Sequence, residues 1–258
     1  MASEKYIWPE GEKIVYLRPP KEEYLGSLDY FYSPSIFPEL QPLVDNWERM
    51  RDEILQYEKQ MGIVKEMDSH APPTNTEKQW SLTYLINYLW MFHKNLERFP
   101  VIADVVNQIP NAVFATISIL PPHTDILPHC GNTNGIVRAH IGLIIPVPAP
   151  TCAIKVGDET HGWQEGGLLT FTIVNRHAAW NRSEHRRYIV IVDIIPEMFK
   201  HRTMEICSNN LGTSTFNVLY DRFAIVRWMP EGVHGLMCGI FSLFWRLYLP
   251  IQRRLKFL

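Results

Sequence analysis

Two histidines, His129 and His177, stand forty-eight residues apart in a stretch rich in strand-forming residues, and Arg187 follows the second by ten. Imidazole suits a divalent first-row metal such as iron(II), and a metal that must also bind a chelating acid and oxygen needs a few protein ligands gathered on one side. In a barrel of short antiparallel strands an early strand meets a late one across the mouth, so a wide gap in sequence is what such a pair requires. An arginine on the following strand would point into the same mouth, where its planar fork fits a carboxylate through two parallel hydrogen bonds. The plain alternative is that two of the ten histidines fall at this distance by chance. A second pairing is also open, because His123-Thr124-Asp125 is an H-x-D with His177 fifty-four residues on. Its plain reading is a loop turn beside Pro121 and Pro122, in which the Asp side chain bonds nearby backbone amides.

The elements that would position these side chains are legible in outline. From Ala112 onward short runs of Val, Ile, Thr and Phe alternate with Gly, Pro and Asn clusters, which predicts strands over 112–120, 136–146, 152–157, 167–174 and 187–195. Short strands with turn signals between them indicate a sandwich or barrel. Ahead of them, Leu40, Leu43, Val44, Trp47, Met50, Ile54 and Leu55 recur at helical spacing. Trp80, Tyr84, Tyr88 and Phe92, four apart, predict a second helix over 77–92 whose aromatic stripe serves packing, and a shorter helix over 97–108 is closed by Pro110. The expected organisation is a helical region over 1–110 packed on the barrel, a core over 111–200, and a basic, aromatic extension over 201–258.

The chain has 258 residues, 46% of them hydrophobic, and a formal charge of −2, enough for one enzyme-sized core. Residues 201–258 carry +4 and the remainder −6. The positive charge is too modest for a phosphate-tracking groove, so nucleic acid is not an expected partner. Gly235 to Trp245 is an uncharged run of eleven residues, too short to span a bilayer as a helix. Phe241, Phe244, Trp245 and Tyr248 share one helical face, followed by Arg253, Arg254 and Lys256, so 235–258 is expected either to touch an anionic membrane or to dock on the barrel or on a second copy. Four cysteines without a C-x-x-C predict reduced thiols, and MASEKYIWPEGEK lacks the features of a secretory signal. The expected location is cytoplasmic, with peripheral contact at the inner face of a membrane if the tail binds lipid.

Two blocks carry a resemblance. SILPPHTDILPHCGNTNGIVRAHIGLIIP, from Ser118, and VGDETHGWQEGGLLTFTIVNRHAAWNRSEHRRYIVIVDIIPE, from Val156, resemble the aspartyl/asparaginyl β-hydroxylase family of iron(II)- and 2-oxoglutarate-dependent dioxygenases. Several motifs in the right order make this specific: PHCGNTN, R-A-H-I-G-L, C-x-I-x-V-G-x-E-T, W-x-E-G, and H-x-x-W-N followed by R-x-I-V-I-V-D. The resemblance implies a mainly β fold, a double-stranded β-helix of jelly-roll or cupin type with an N-terminal helical region and a C-terminal helical tail. It implies that His129 and His177 bind Fe(2+), that Arg187 with Ser118 holds the far carboxylate of 2-oxoglutarate, that Arg138 and His140 line the cosubstrate side, and that Trp180 is pocket wall. Gly131 stands where many such enzymes carry a third, carboxylate ligand, and the family is similar in lacking it. Only the register with His129 also matches the other positions, which favours it over His123.

The resemblance further implies a hydroxylase that uses O2 and 2-oxoglutarate, with His129, His177 and Arg187 as its catalytic set. The β-carbon of an Asp or Asn side chain in a peptide or protein is the leading expected target. A lipid acyl chain is the alternative, since bacterial lipid hydroxylases are similar members of the wider family, and a non-catalytic jelly-roll binding module is the third reading. Before His177 this chain has TFTIVNRH where the family tends to be acidic, and Asn175, Arg176 and Arg182 make the rim more basic, which leaves the substrate open.

Overall fold

Period-two alternation along the strands, with one face closed by helices and the other by a second sheet, organises the molecule. The structure, a computed structural model, describes residues 30–62, 74, 80–131 and 133–254. In chain order the elements are β1 (Phe31–Tyr32), α1 (Gln41–Asp45), α2 (Trp47–Met61), β2 (Ser81–Asn87), β3 (Trp90–Met91), α3 (His93–Arg98), α4 (Pro100–Asn107), β4 (Ala112–Leu120), β5 (Thr124–His129) and β6 (Val137–Ile144). They continue with β7 (Cys152–Val156), β8 (Glu159–His161), β9 (Leu168–Thr172), β10 (His177–Asn181), β11 (Arg187–Ile194), α5 (Thr203–Arg222), α6 (Ala224–Arg227) and α7 (Glu231–Gln252).

The strands form a seven-stranded sheet in the order β1-β9-β6-β11-β4-β2-β3 and a four-stranded sheet in the order β5-β10-β7-β8. From β4 to β11 the chain passes back and forth between the two sheets, and the first and last of these strands pair along their length, Arg187 opposite Leu120 and Val192 opposite Ala115. This is the double-stranded β-helix, or jelly roll, expected from the resemblance. The five predicted strands are all present. Those over 112–120, 136–146, 152–157, 167–174 and 187–195 correspond to β4, β6, β7, β9 and β11.

Alternation along three neighbouring strands decides what faces the interior. On β4, Ala115, Ile117 and Ile119 face outward, with Ala139, Ile141 and Leu143 of β6 and Val190, Val192 and Ile194 of β11 beside them. Leu43 of α1, Met50 and Ile54 of α2, and Ile102 and Val105 of α4 cover that face. Burial of these apolar side chains is the main force holding helices to sheet. Opposite parity then sends Ser118, Arg138, His140, Arg187, Ile189 and Ile191 into the space between the sheets.

Two expectations are corrected. Residues 81–87 form a strand, β2, which pairs with β4 (Leu82 opposite Ser118, Tyr84 opposite Thr116), and β3 pairs with β2 in turn. The four-residue aromatic spacing that predicted a helix also satisfies a strand, because residues four apart lie on one face at period two. Pairing with the exposed edge of β4 decided between the two. Tyr88 and Leu89, with φ of 48° and 71°, make the turn into β3. The region before residue 111 is therefore helix and sheet together, extending the larger sheet. The helix predicted over 97–108 is two, α3 and α4, broken at Phe99-Pro100, where the proline begins the second. Residues 77–79, Asn132 of the PHCGNTN motif, the N-terminal segment and Lys256 lie outside the described residues.

The C-terminal extension is helical as expected. α7 is longer than the uncharged run suggested, twenty-two residues, and among the described residues it is the one helix long and apolar enough to cross a membrane by length and composition. The aromatic face singled out in the sequence largely turns inward, since Trp245 and Tyr248 pack on Trp90 of β3 with centroids 4.9 and 5.7 Å apart.

Candidate active site

His129 closes β5 and His177 opens β10, and the two stand directly opposite each other in the ladder between these strands. Their ring centroids are 4.2 Å apart. The register then slips. His177 faces His129, but Ala179, two residues on, faces Ile126, three residues back. The extra residue on β5 is a β-bulge, and it lets both Ile126 and His129 face the interior. Simple alternation would have put them on opposite faces, and re-aiming a side chain is a common role of bulges beside active sites.

Each histidine is held by its own backbone. His129 Nδ1 lies 2.8 Å from the Leu127 carbonyl and His177 Nδ1 lies 2.8 Å from the Asn175 carbonyl. A carbonyl only accepts, so both Nδ1 atoms carry the proton and both Nε2 atoms keep their lone pair, the form in which imidazole binds a metal. Burial favours that neutral form, pushing the pKa of His129 down to about 4 and that of His177 well below the usual value, with each ring's cationic or imidazole neighbours adding to the shift.

All six residues singled out in the sequence, Ser118, His129, Arg138, His140, His177 and Arg187, line one cavity between the sheets. The rest of its wall is apolar, chiefly Ile126, Ile154, Phe171, Ile189 and Ile191. Small-molecule sites have this character, an apolar cleft with a few converging polar groups.

Arg187 is the most informative of the six. It is 1% exposed, and among the described residues it meets the Ser118 hydroxyl at 3.0 Å and the face of Trp163, 4.6 Å from the guanidinium. Ser118 Oγ also accepts from Trp80 Nε1 at 2.9 Å. Burial lowers the pKa of Arg187 to about 10, and its Nε is buried without a hydrogen-bond partner. Among the described residues no carboxylate pairs with Arg187, and a buried cation so placed costs several kcal/mol, roughly 3–5 where such pairs have been broken. An anionic ligand would remove that cost.

His140 differs from the other two histidines. Its Nδ1 accepts from Trp163 Nε1 at 3.3 Å, which places its proton on Nε2, a buried donor without an acceptor. Burial and the nearby Arg138 and Arg187 keep the ring neutral, its pKa well below the ordinary value. His140 is thus built to donate into the cavity. Arg138 also lines the cavity, but its guanidinium is already engaged. Its Nε and Nη2 donate to the two oxygens of Asp193 at 2.7 Å each. Burial opposes the charge on Arg138, and the Asp193 carboxylate more than offsets this, raising its pKa.

The rival pairing does not assemble. His123 sits in a turn with φ of 54° and its Nε2 meets exposed Glu184 at 3.1 Å. Asp125 faces away from the cavity toward Arg182, 3.4 Å away. Trp180, expected as pocket wall, lies on the outer face of β10 beside inward Ala179, where its indole donates to the Pro150 carbonyl at 2.7 Å. Among the described residues no third histidine, cysteine or carboxylate joins a metal-binding cluster. Gly131, where other enzymes carry the carboxylate, explains this sterically. A Cβ there would lie 2.5 Å from two atoms of the Ile173 side chain.

Three functional neighbours were missed in the sequence, namely Trp80, Trp163 and Asp193. The last two lie inside the quoted motifs, and Asp193 shares the parity of Arg187, Ile189 and Ile191. Trp80 carried no usable signal, because the segment it precedes, β2, was read as a helix.

The jelly roll thus gathers two facing imidazoles and a buried arginine, with no carboxylate partner among the described residues, into one cavity. Residues 44–196 match the family model described as Aspartyl/Asparaginyl beta-hydroxylase, and the chain belongs to that family. It is 27% identical over 191 residues to an ornithine lipid ester-linked acyl 2-hydroxylase of Rhizobium tropici, a match covering 73% of this chain and 66% of that protein. It is 40% identical over 77 residues to the aspartyl/asparaginyl beta-hydroxylase of Mus musculus, covering 30% of this chain and 10% of that one. A predicted oxalate decarboxylase from Thermotoga maritima is a distant structural likeness, with a TM-score of 0.33 and 11% identity over 51% of this chain and 91% of that one.

Proposed function

We propose that the chain is an iron(II)- and 2-oxoglutarate-dependent dioxygenase that hydroxylates an unactivated carbon. The observation that carries this reading is Arg187, a cation buried with no carboxylate partner among the described residues, in the same cavity as His129 and His177. The residues fit the groups the family implies. His129 and His177 present Nε2 lone pairs and would hold iron(II), which supplies oxygen activation when bound. Arg187, with the Ser118 hydroxyl, would take the distal carboxylate of 2-oxoglutarate as a two-pronged, charge-assisted contact. His140 Nε2–H would supply a further donor to the cosubstrate. Overall, 2-oxoglutarate, oxygen and a C–H bond become succinate, carbon dioxide and an alcohol. The protein's part is to place the cosubstrate and substrate and to keep water from the apolar cavity.

For the substrate, the acyl chain of a lipid is the better-supported target and the β-carbon of an Asp or Asn side chain the second. Two observations favour lipid. Of the two arginines in the cavity, Arg138 is engaged by Asp193 and Arg187 is assigned to the cosubstrate, so neither is left for a substrate carboxylate. The lipid hydroxylase of Rhizobium is also matched over a much larger share of this chain than the mouse enzyme. The experiment is succinate release by iron-loaded protein, alone and with ornithine lipid or Asp- and Asn-containing peptides, with His129→Ala as the blank. Stimulation by lipid supports the first target and stimulation by peptide the second. Failure of the protein to bind iron or 2-oxoglutarate would overturn the dioxygenase reading and leave a non-catalytic jelly roll.

A further inference from the structure

At about 100° per residue, Leu236, Ile240, Leu243, Phe244, Leu247 and Ile251 of α7 fall within one arc of about 100°. All six are more than half exposed. The opposite side of the helix is fixed in place. Cys238 and Leu249 are buried there, and Ser242 abuts α5 so closely at Gly212 that a side chain at 212 would collide with it. Trp245 Nε1 donates to Thr215 Oγ1 of α5 at 2.9 Å. The fully buried Gln252 amide donates to the Met91 carbonyl and accepts from its N–H, completing the edge of β3 as a further strand would. These contacts set the rotation of α7, so the apolar stripe cannot turn inward. At the near end of the helix Trp228 is 87% exposed and Ile225 71%. An exposed apolar stripe running the length of α7 on a folded chain marks an interaction face.

We infer that this face docks the protein on an anionic membrane, with α7 lying in the plane of the bilayer surface. Charge complementarity identifies the occupant. Residues 231–254 contain one acid, Glu231, against Arg246, Arg253 and Arg254, all three arginines exposed. Basic residues beside an apolar helical stripe fit anionic headgroups above acyl chains, and an exposed tryptophan prefers that same boundary. Lying on the bilayer fits better than crossing it. α5 is locked to α7 and would be drawn into hydrocarbon with its exposed Asn209, Asn217 and Asp221. The surface lies beyond residue 196, where the family match ends. It deepens the lipid reading, on which it rests for the reason a membrane would be sought. The inward side of α7 ties it to the cavity's hydrophobic core, since Leu249 and Trp245 pack into the cluster that contains Ile126, Phe171 and Ile189.

The test is flotation of the full chain with phosphatidylcholine vesicles, with and without phosphatidylglycerol, at low and high salt. Beside it stand the triple variant Leu236→Gln, Leu243→Gln, Leu247→Gln and the pair Arg253→Gln, Arg254→Gln. The wild type is expected to float with anionic vesicles. The triple variant is expected to lose binding by about a hundredfold or more, and the arginine pair to bind more weakly and with less response to salt. Both variants should keep the wild-type circular dichroism, since every substituted residue is exposed. No flotation of the wild type, or equal flotation of the triple variant, overturns the inference. So does a wild-type dimer, seen by light scattering, that the triple variant disperses, because a second copy would then be the occupant. Succinate release on the same samples separates the two readings. Docking without lipid-stimulated turnover sinks the lipid substrate and leaves the surface standing, and lipid-stimulated turnover without docking does the reverse.

Discussion

Arg138 and Arg187 enter the same cavity from neighbouring strands, and among the described residues only Arg138 has a carboxylate partner. Arg138 is clamped by both oxygens of Asp193, whereas Arg187 has the neutral Ser118 hydroxyl and an indole face. One guanidinium is a finished structural pair and the other a receptor.

That contrast predicts opposite effects of substitution. Arg187→Met removes a buried, uncompensated charge, so the cosubstrate-free protein should be unchanged in stability or about 1–4 kcal/mol more stable. Binding of 2-oxoglutarate should weaken by about a hundredfold or more, the loss of a two-pronged charged contact. Thermal melting with and without 2-oxoglutarate reads both effects. A strongly destabilised variant would make Arg187 a structural residue and remove its assigned role.

Asp193→Asn should do the reverse. It strands the Arg138 charge in the interior, at a cost of about 3–5 kcal/mol, read as a lower denaturant midpoint. A double variant, Arg138→Met with Asp193→Leu, should recover much of that loss. If Asp193→Asn melts with the wild type, the pair contributes little to the fold.

His129→Ala should abolish iron-dependent succinate formation while His123→Ala retains most of it, because His123 faces Glu184 in an exposed turn. Iron binding by the metal-free protein, followed by titration, gives a readout apart from turnover. The opposite ranking would transfer the metal to the His123 register.

Gly131→Ala should destabilise by about 1–3 kcal/mol, the usual cost of forcing atoms into a packed site, since the new Cβ meets Ile173. Adding Ile173→Ala should relieve the clash, so the two substitutions together cost less than the sum of each alone. Strict additivity in a denaturant-based double-mutant cycle would show that Ile173 is not what keeps position 131 a glycine.

How much of this was legible beforehand follows from the range of each signal. Alternation of β-branched residues is local, so the strands bearing Ser118, Arg138, His140 and Arg187 could be read directly, and with them the inward aim of Arg187, while the family resemblance placed the other three. The strands bearing His129 and His177 were not read as strands. The PHTDILPH run is crowded with turn formers, and HAAWN is short and small, so pairing with neighbours rather than propensity makes them β. Residues 81–87 went further astray, because aromatics four apart satisfy both helix and strand until an open sheet edge is present to pair with.

By itself, then, the sequence determined five of the eight strands from β4 to β11, the six residue types of the cavity and the glycine where a third ligand would stand, because residue type and period-two parity are properties of the chain alone. Tertiary structure decided what those residues do to one another. The bulge that turns His129 inward, the claim of Asp193 on Arg138, the isolation of Arg187 and the outward rotation of the α7 stripe all depend on contacts between segments far apart in sequence, which no local pattern encodes.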